Sequence, residues 1–338
     1  MKIKFRTLAW LSALFVLFSV TSCNSIFDEQ EDCPSIYRVR FKYDMNMKFA
    51  DAFPNTVSYV AVHVYDAVTG KLVLKQTDGS KALALEGYAM ELVGLQPGTY
   101  DIVAWCGDGL HDGHFDVIEP VVGTSTINEL DCTMERESGG LVKKDVGQLY
   151  HGLQRVTYPD SYGTYTETIS LVKNTNVVRI VLQHLSGVDV NPGDFTFEIK
   201  DENGLMAYDN EVLDDELITY SPWSVTAGSA GVDAEYGRSQ TSVSVALAEF
   251  TVSRLVVENN PVLSIYNVKK DNEKVLSIPL KDYALLVKGN YNRLMSDQEY
   301  LDRQDEYNLT FFLDEHGNWL TSKIIINSWS VVLNDTGL

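Results

Sequence analysis

Met90-Glu91-Leu92-Val93-Gly94-Leu95-Gln96-Pro97-Gly98-Thr99-Tyr100-Asp101-Ile102-Val103-Ala104-Trp105 is the stretch on which the fold turns. Its two apolar arms flank Pro97-Gly98, a pair suited to a tight turn in which proline presets φ at the second position and glycine supplies φ > 0 at the third. The stretch therefore reads as strand, turn, strand, with apolar residues alternating in the second arm. Upstream, Tyr37-Arg38-Val39-Arg40-Phe41-Lys42-Tyr43 has the same period of two and places Tyr37, Val39, Phe41 and Tyr43 on one face. Residues 57–65 read as another strand, which Ala67-Val68-Thr69-Gly70 turns into Lys71-Leu72-Val73-Leu74 as a hairpin.

Downstream, residues 107–122 read as a loop, residues 129–134 as a returning strand, and residues 135–140 as a polar, glycine-rich connection. A new strand set opens at Thr166, which predicts a domain boundary near residue 165. Residues 177–182 are almost continuously apolar, as in a strand buried on both faces. Phe195, Phe197 and Ile199 alternate with Thr196, Glu198 and Lys200, and Val243, Val245 and Leu247 alternate likewise. Residues 275–280, 309–313 and 323–332 add strands, and one short helix is predicted where Ser296 can cap with Glu299 three positions on. Short strands bounded by Gly, Pro and Asn turns define an all-β chain of two sequential β-sandwiches, residues 35–165 and 166–338.

The start of the chain is of another kind. Lys2, Lys4 and Arg6 precede an apolar run from Leu8 to Val20, followed by Thr21-Ser22-Cys23. This is a secretory signal whose small residues suit cleavage, and Cys23 makes it a lipobox: residues 1–22 are removed by a cut between Ser22 and Cys23, and lipid is attached at Cys23. The apolar run of 13 residues falls short of the roughly 20 that span a bilayer. Residues 23–34, with Asp28-Glu29-Gln30-Glu31-Asp32, form a solvated acidic tether. They also resemble the tags that send some lipoproteins to the outer face of the outer membrane.

Removal of the signal takes three positive charges from a net charge of −20 and leaves −23. Such a balance argues against a nucleic acid partner, whose phosphates would be repelled. Of the cysteines, Cys23 takes lipid, and Cys33, Cys106 and Cys132 allow one disulfide in an oxidising compartment, with no pair singled out. None of the four is spaced for zinc.

Catalytic signatures are lacking. His111-Asp112-Gly113-His114-Phe115-Asp116 gathers N and O donors but fits no standard ligand spacing, and reads as a polar surface loop. Ser170-Leu171-Val172-Lys173 matches Ser-x-x-Lys, yet in a strand it sends Ser170 and Lys173 to opposite faces. Trp223, Trp319 and Trp329 could build a sugar platform, although tryptophan in strands belongs more often to the core. No motif asks for a cofactor or a metal, and no small-molecule substrate is indicated.

The turn stretch resembles prealbumin-like sandwiches, in which the tyrosine after the turn packs inward. Further motifs follow one another in order: Asp32-Cys33-Pro34, Val39-Arg40-Phe41-Lys42-Tyr43, Pro97-Gly98-Thr99-Tyr100, Ala104-Trp105, Tyr220-Ser221-Pro222 and Ser277-Ile278-Pro279-Leu280. The series continues through Gln298-Glu299-Tyr300-Leu301-Asp302-Arg303, Glu306-Tyr307-Asn308-Leu309-Thr310-Phe311-Phe312-Leu313-Asp314 and Ile326-Asn327-Ser328-Trp329-Ser330-Val331-Val332. In these motifs, over nearly the whole mature chain, the sequence resembles the FimB-type fimbrial anchor subunits, the minor fimbrium anchoring lipoproteins of type V pili. Ser328 departs from the glycine of that pattern. The resemblance implies two transthyretin-like sandwiches without catalysis, held at the outer membrane through Cys23, that fix a fimbrium to the cell and limit its growth. The partner it implies is the fimbrial shaft pilin.

An unpaired sandwich edge can accept a strand from such a partner. Residues 324–332 are the candidate region: they pair within their own domain and frame the acceptor edge, or are lent to the neighbour, or form an ordinary internal strand. The competing function is a surface adhesin or tip-type lipoprotein that binds glycan or host protein.

Overall fold

The computed structural model describes residues 35–118, 120–232, 241–289 and 292–332. The signal segment, the tether, Cys23 and Cys33 lie outside these residues. Strand β1 (Ile36–Lys42) buries Tyr37, Val39 and Phe41 on one face, as its alternation predicts. It is the centre of a three-stranded sheet, antiparallel to β4 (Met90–Glu91) and parallel to β10 (Thr164–Ser170). Five further strands build the facing sheet: β2 (Val60–Asp66), β3 (Leu72–Asp78), β5 (Gly98–Cys106), β9 (Tyr150–Tyr158) and β11 (Val172–Lys173), in the order β11-β9-β5-β2-β3. Val39, Phe41, Val62, Ile102, Val156 and Ile169 fill the space between the two sheets.

The hairpin from β2 to β3 forms as read, with Gly70 at φ +66° and the Asp66 carboxylate accepting from the Val68 and Thr69 amides. The Pro97-Gly98 turn does not. The chain turns instead at Val93-Gly94, where Gly94 takes φ +84° and the Leu95 N–H reaches the Leu92 carbonyl. Gly98 is the first residue of β5 and has another reason to be glycine. The Tyr100 ring folds back over it so closely that a Cβ would meet the hydroxyl at 2.9 Å, and that hydroxyl donates to the Gln96 carbonyl.

The junction near residue 165 also moves. β10 spans it and pairs along its whole length with β1, and β11 joins β9, so the new strand set belongs to the first pair of sheets. The second pair begins with β12 (Thr175–His184). Its six-stranded sheet has the order β16-β17-β12-β20-β21-β22 and comprises β12, β16 (Ser224–Val232), β17 (Thr241–Ser253), β20 (Glu306–Leu313), β21 (Trp319–Ile326) and β22 (Trp329–Val332). Opposite it, β13 (Phe195–Asp201), β15 (Ile218–Tyr220), β18 (Val262–Asn267) and β19 (Glu273–Pro279) make a sheet of order β19-β18-β13-β15-β8. The last member, β8 (Leu141–Val142), comes from the first half of the chain and pairs with β15 in parallel.

Two inward faces differ from the sequence reading. Of the apolar run 177–182 in β12, Val178, Ile180 and Leu182 are fully buried, while Arg179 on the other face is held between Glu249 at 2.8 Å and Glu306 at 2.6 Å. On β17 the face joined to the core carries Ala246, Ala248, Phe250 and Val252, one residue out of step with Val245 and Leu247. A register offset of one exchanges the faces of a strand, and alanine is too small to announce the inner one.

The stretch between the sandwiches is more than a loop. The short helix α2 (Asp108–His111), β6 (Phe115–Val117) and β7 (Cys132–Met134) lie in it, and β7 pairs with β14 (Leu205–Met206) of the second half. Phe115, Leu130, Cys132 and Met134 join Trp105 of the five-stranded sheet to the core of the second sandwich. Cys106 and Cys132 are both free and buried, in different cores, so these two do not form the disulfide that composition allowed. Burial raises both thiols above their ordinary range. After a first short helix, α1 (Phe53–Thr56), and α2, two longer ones follow: α3 (Leu280–Leu286), which the sequence reading missed, and α4 (Asp297–Arg303), where Ser296 caps the Glu299 N–H as predicted. Among the described residues no helix is long and apolar enough to cross a membrane.

Candidate functional site

The C-terminal hairpin supplies the site. Ile326-Asn327-Ser328-Trp329 joins β21 to β22 through a two-residue loop with Asn327 at φ +47° and Ser328 at φ +72°. Positive φ at both central residues is the type I′ geometry that matches strand twist and favours Asn-Gly. Asn327 fits it and is fastened to β20, since its amide donates to the Asn308 carbonyl and its side-chain oxygen accepts from the Asn308 N–H. Ser328 holds the glycine position at a steric cost.

β22 pairs with β21 alone, so among the described residues its other side is an open edge of the six-stranded sheet. Ile326 faces Trp329 across the hairpin and Ile324 faces Val331, and residues directly opposite share a face. Ile324 and Ile326 are buried in the core, whereas Trp329 is 64% exposed. The inner face of the sheet thus runs out from under its cover at the last strand. The result is a cleft of about 800 Å³ beside β22, lined on its apolar side by Met47, Leu286, Val287, Tyr300, Trp329 and Val331.

Both sandwiches hold this cleft in shape. On α4, Tyr300 and Leu301 are buried, and Asp302 takes a bidentate pair of 2.8 Å contacts from Arg254 at the end of β17. Arg303 donates to the Asp44 carbonyl and lies 4.4 Å from the centre of the Phe49 ring, which secures the loop that carries Met47. The Tyr43 hydroxyl donates to Asp305 at 2.6 Å. Burial, reinforced by that carboxylate, raises the phenol far above its ordinary range, so it stays a donor. A second, polar cleft of about 860 Å³ continues from the first between the sandwiches, with Lys48, Lys173, Arg303 and Asp305 on its walls.

The residues weighed as chemistry do not converge. His111 pairs with its neighbour Asp112 at 2.9 Å on the surface, and no group of three or more His, Cys, Asp or Glu side chains is placed to hold a metal among the described residues. Ser170 closes β10, while Lys173 on β11 lies 3.7 Å from Asp305. Trp223 precedes β16 at one border of the six-stranded sheet, Trp319 packs edge-on against Phe311, and Trp329 lies on the other border, so they make no shared platform. Trp329 is also no core residue, contrary to the sequence reading. Burial lowers His151 to about 4, and its Nε2 lies 2.8 Å from the Tyr208 carbonyl. The neutral ring therefore donates there and ties β9 to the second half of the chain.

A family model described as "Fimbrillin-A associated anchor proteins Mfa1 and Mfa2" matches residues 30–335. This chain belongs to that anchor family. Among solved structures, a candidate adhesin from Bacteroides thetaiotaomicron VPI-5482 is 34% identical, with a TM-score of 0.79 over 88% of this chain and 97% of that one. A candidate polysaccharide-binding protein from the same organism is 30% identical, with a TM-score of 0.77 over 89% and 99%. The fimbrial anchor protein Mfa2 from Porphyromonas gingivalis, at 16% identity and a TM-score of 0.66 over 89% and 100%, shares the fold. A search of curated proteins gave no match. The anchor-family assignment agrees with the resemblance read from the sequence, and the all-β sandwich architecture is that of the family.

Proposed function

We propose that this protein is a non-catalytic outer-membrane lipoprotein, cut between Ser22 and Cys23 and acylated at Cys23, that fixes a fimbrium to the cell and limits its length. Family membership supports the fimbrial role. The observation that carries the mode of attachment is the open β22 edge with inward-facing Trp329 uncovered beside it. An extended pilin segment added there would satisfy the edge's backbone groups and lay alternate side chains into the apolar cleft. Residues 324–332 pair within their own sheet and so frame the acceptor edge.

In a two-residue hairpin the residues flanking the turn bond to each other, so the next residue, Ser330, directs its N–H and C=O to the open side. Ser330→Pro removes that outward donor and leaves the β21 pairing intact. Loss of pilin capture by folded Ser330→Pro, with capture retained by Ser330→Thr, is the expected result. Unchanged capture by folded Ser330→Pro would overturn strand addition. Deleting the gene should shed fimbriae into the medium, and Cys23→Ala should release the protein from the membrane fraction. The competing adhesin reading rests on the B. thetaiotaomicron structures and the polar cleft; specific retention on a glycan array that is lost with Lys48→Ala would favour it.

A further inference from the structure

The described chain begins at one pole of the first sandwich, and three other segments meet it there. Ser35 donates from its hydroxyl to the Ser161 carbonyl, the Ile36 N–H bonds the Gly163 carbonyl, and the Tyr37 hydroxyl donates to the Pro159 carbonyl. This places the loop after β9 beside the emerging tether. The segment before β5 joins it, since Leu92 donates to the Tyr37 carbonyl and Gly98 pairs with Tyr158. The β2–β3 turn is the third, bonded from the Ala67 N–H to the Thr99 carbonyl. Each of these three segments raises an apolar or aromatic side chain with most of its surface in solvent: Val68 is 89% exposed, Val93 67% and Tyr162 63%.

Surface valines are ordinary when scattered. These three sit on separate loops at the one pole from which the chain leads back toward Cys23. From Cys23 to Ser35 is 12 residues, a reach of about 40 Å at full extension and roughly 20 Å as a flexible coil. We propose that this pole rests on the bilayer that holds the Cys23 lipid, with Val68, Val93 and Tyr162 entering its headgroup boundary. The inference rests on the lipoprotein reading above and goes beyond it, from a tethered body to an oriented one. Tyrosine is suited to that boundary, with an apolar ring and a polar tip.

The contact is apolar and not electrostatic. Asp66 in the turn is engaged by its own loop amides, Asp160 is exposed, and the tether itself is acidic. Vesicles of phosphatidylcholine are therefore the fitting probe. Chain direction supplies the rest of the orientation. β1 and β10 run in parallel away from this pole, and β12, which follows them in the chain, belongs to the second sandwich and ends at the loop of Leu185 and Val188. The open β22 edge then lies on the sandwich farther from the membrane.

The test uses the full lipidated chain in phosphatidylcholine vesicles that contain a headgroup-level nitroxide lipid. In a Cys33→Ser background, where Cys106 and Cys132 are buried, an environment-sensitive fluorophore is attached in turn through Val93→Cys, Tyr162→Cys and, as the control on the second sandwich, Val188→Cys. Emission from positions 93 and 162 should shift to the blue and be largely quenched, with position 188 unaffected. Vesicle-bound protein in which 93 and 162 are quenched no more than 188 would overturn the inference and leave the lipid anchor standing. Failure of the full chain to stay with the vesicles would remove the lipoprotein reading, and this inference with it.

Discussion

Trp105 and Trp329 both project from a strand into the space between layers, yet Trp105 is wholly buried and Trp329 is mostly in solvent. On β5, Trp105 is covered by the segment between the sandwiches, with Phe115 and Cys132 in the same core and the His151 ring 4.5 Å away. On β22, Trp329 reaches past the last covering element into an open cleft. A residue on a sheet is buried only if something lies across from it. The middle segment fills that place outside the first sandwich, and among the described residues the place is vacant at one edge of the second.

The contrast can be broken or sharpened by measurement. Trp105→Ala should cost about 3–5 kcal/mol of folding stability, the range for emptying a buried aromatic site, read from the urea midpoint. A cost near that of a surface change would mean the middle segment collapses onto the gap. Next comes pH. The unfolded chain takes up a proton at His151 near its ordinary 6.5, whereas burial keeps the folded ring neutral down to about 4. Stability present above pH 6.5 is therefore lost as pH falls toward 4, by up to about 3 kcal/mol. Asp201 has the opposite sign, because burial raises its carboxyl to about 6 and its contribution declines as pH rises from 3.8 to 6. The His151 share is thus read as the difference between wild type and His151→Gln, whose acid loss should be smaller.

Smaller effects belong to the open edge. Ser328→Gly should stabilise the chain by about 1 kcal/mol by relieving left-handed backbone strain in the hairpin. Calorimetry showing no gain would mean that the Asn327 contacts to β20 already define the turn. Trp329→Ala should change folding stability, read from the urea midpoint, by no more than about 0.5 kcal/mol, while pilin capture in pull-down falls sharply. A large stability loss there would show that the cleft is part of the core and not an unoccupied seat.

Much of the architecture could be read from residue order. The alternation of β1 and β13, the Asp66–Gly70 turn and the Ser296 cap all formed as local chemistry dictates. β9 could not be read in the same way, because Gly152, Gln154 and Arg155 interrupt any apolar pattern. Its glycine answers to a neighbour distant in sequence: a Cβ at Gly152 would come within 2.5 Å of the Ile169 side chain and 2.8 Å of the Ser170 carbonyl. Glycine inside a strand often marks such an approach, and that was the available signal. β16 was missed because Ala227, Gly228, Ser229, Ala230 and Gly231 show no apolar alternation along the sequence, and its place follows from its pairing with β17. For the site, the order of motifs pointed to residues 324–332, but not to Trp329 as an exposed side chain.

The sequence by itself determined the strand-rich class, the Asp66–Gly70 turn and the Ser296 helix cap, because these depend on neighbours a few residues away. Tertiary structure alone decided that β10 closes the first sandwich, that β8 crosses into the second, and that among the described residues β22 has β21 as its one neighbour. Sheet order is a matter of long-range pairing. A strand's own residues specify its two faces, but which partner lies beside it, or whether any does, is settled by the rest of the chain.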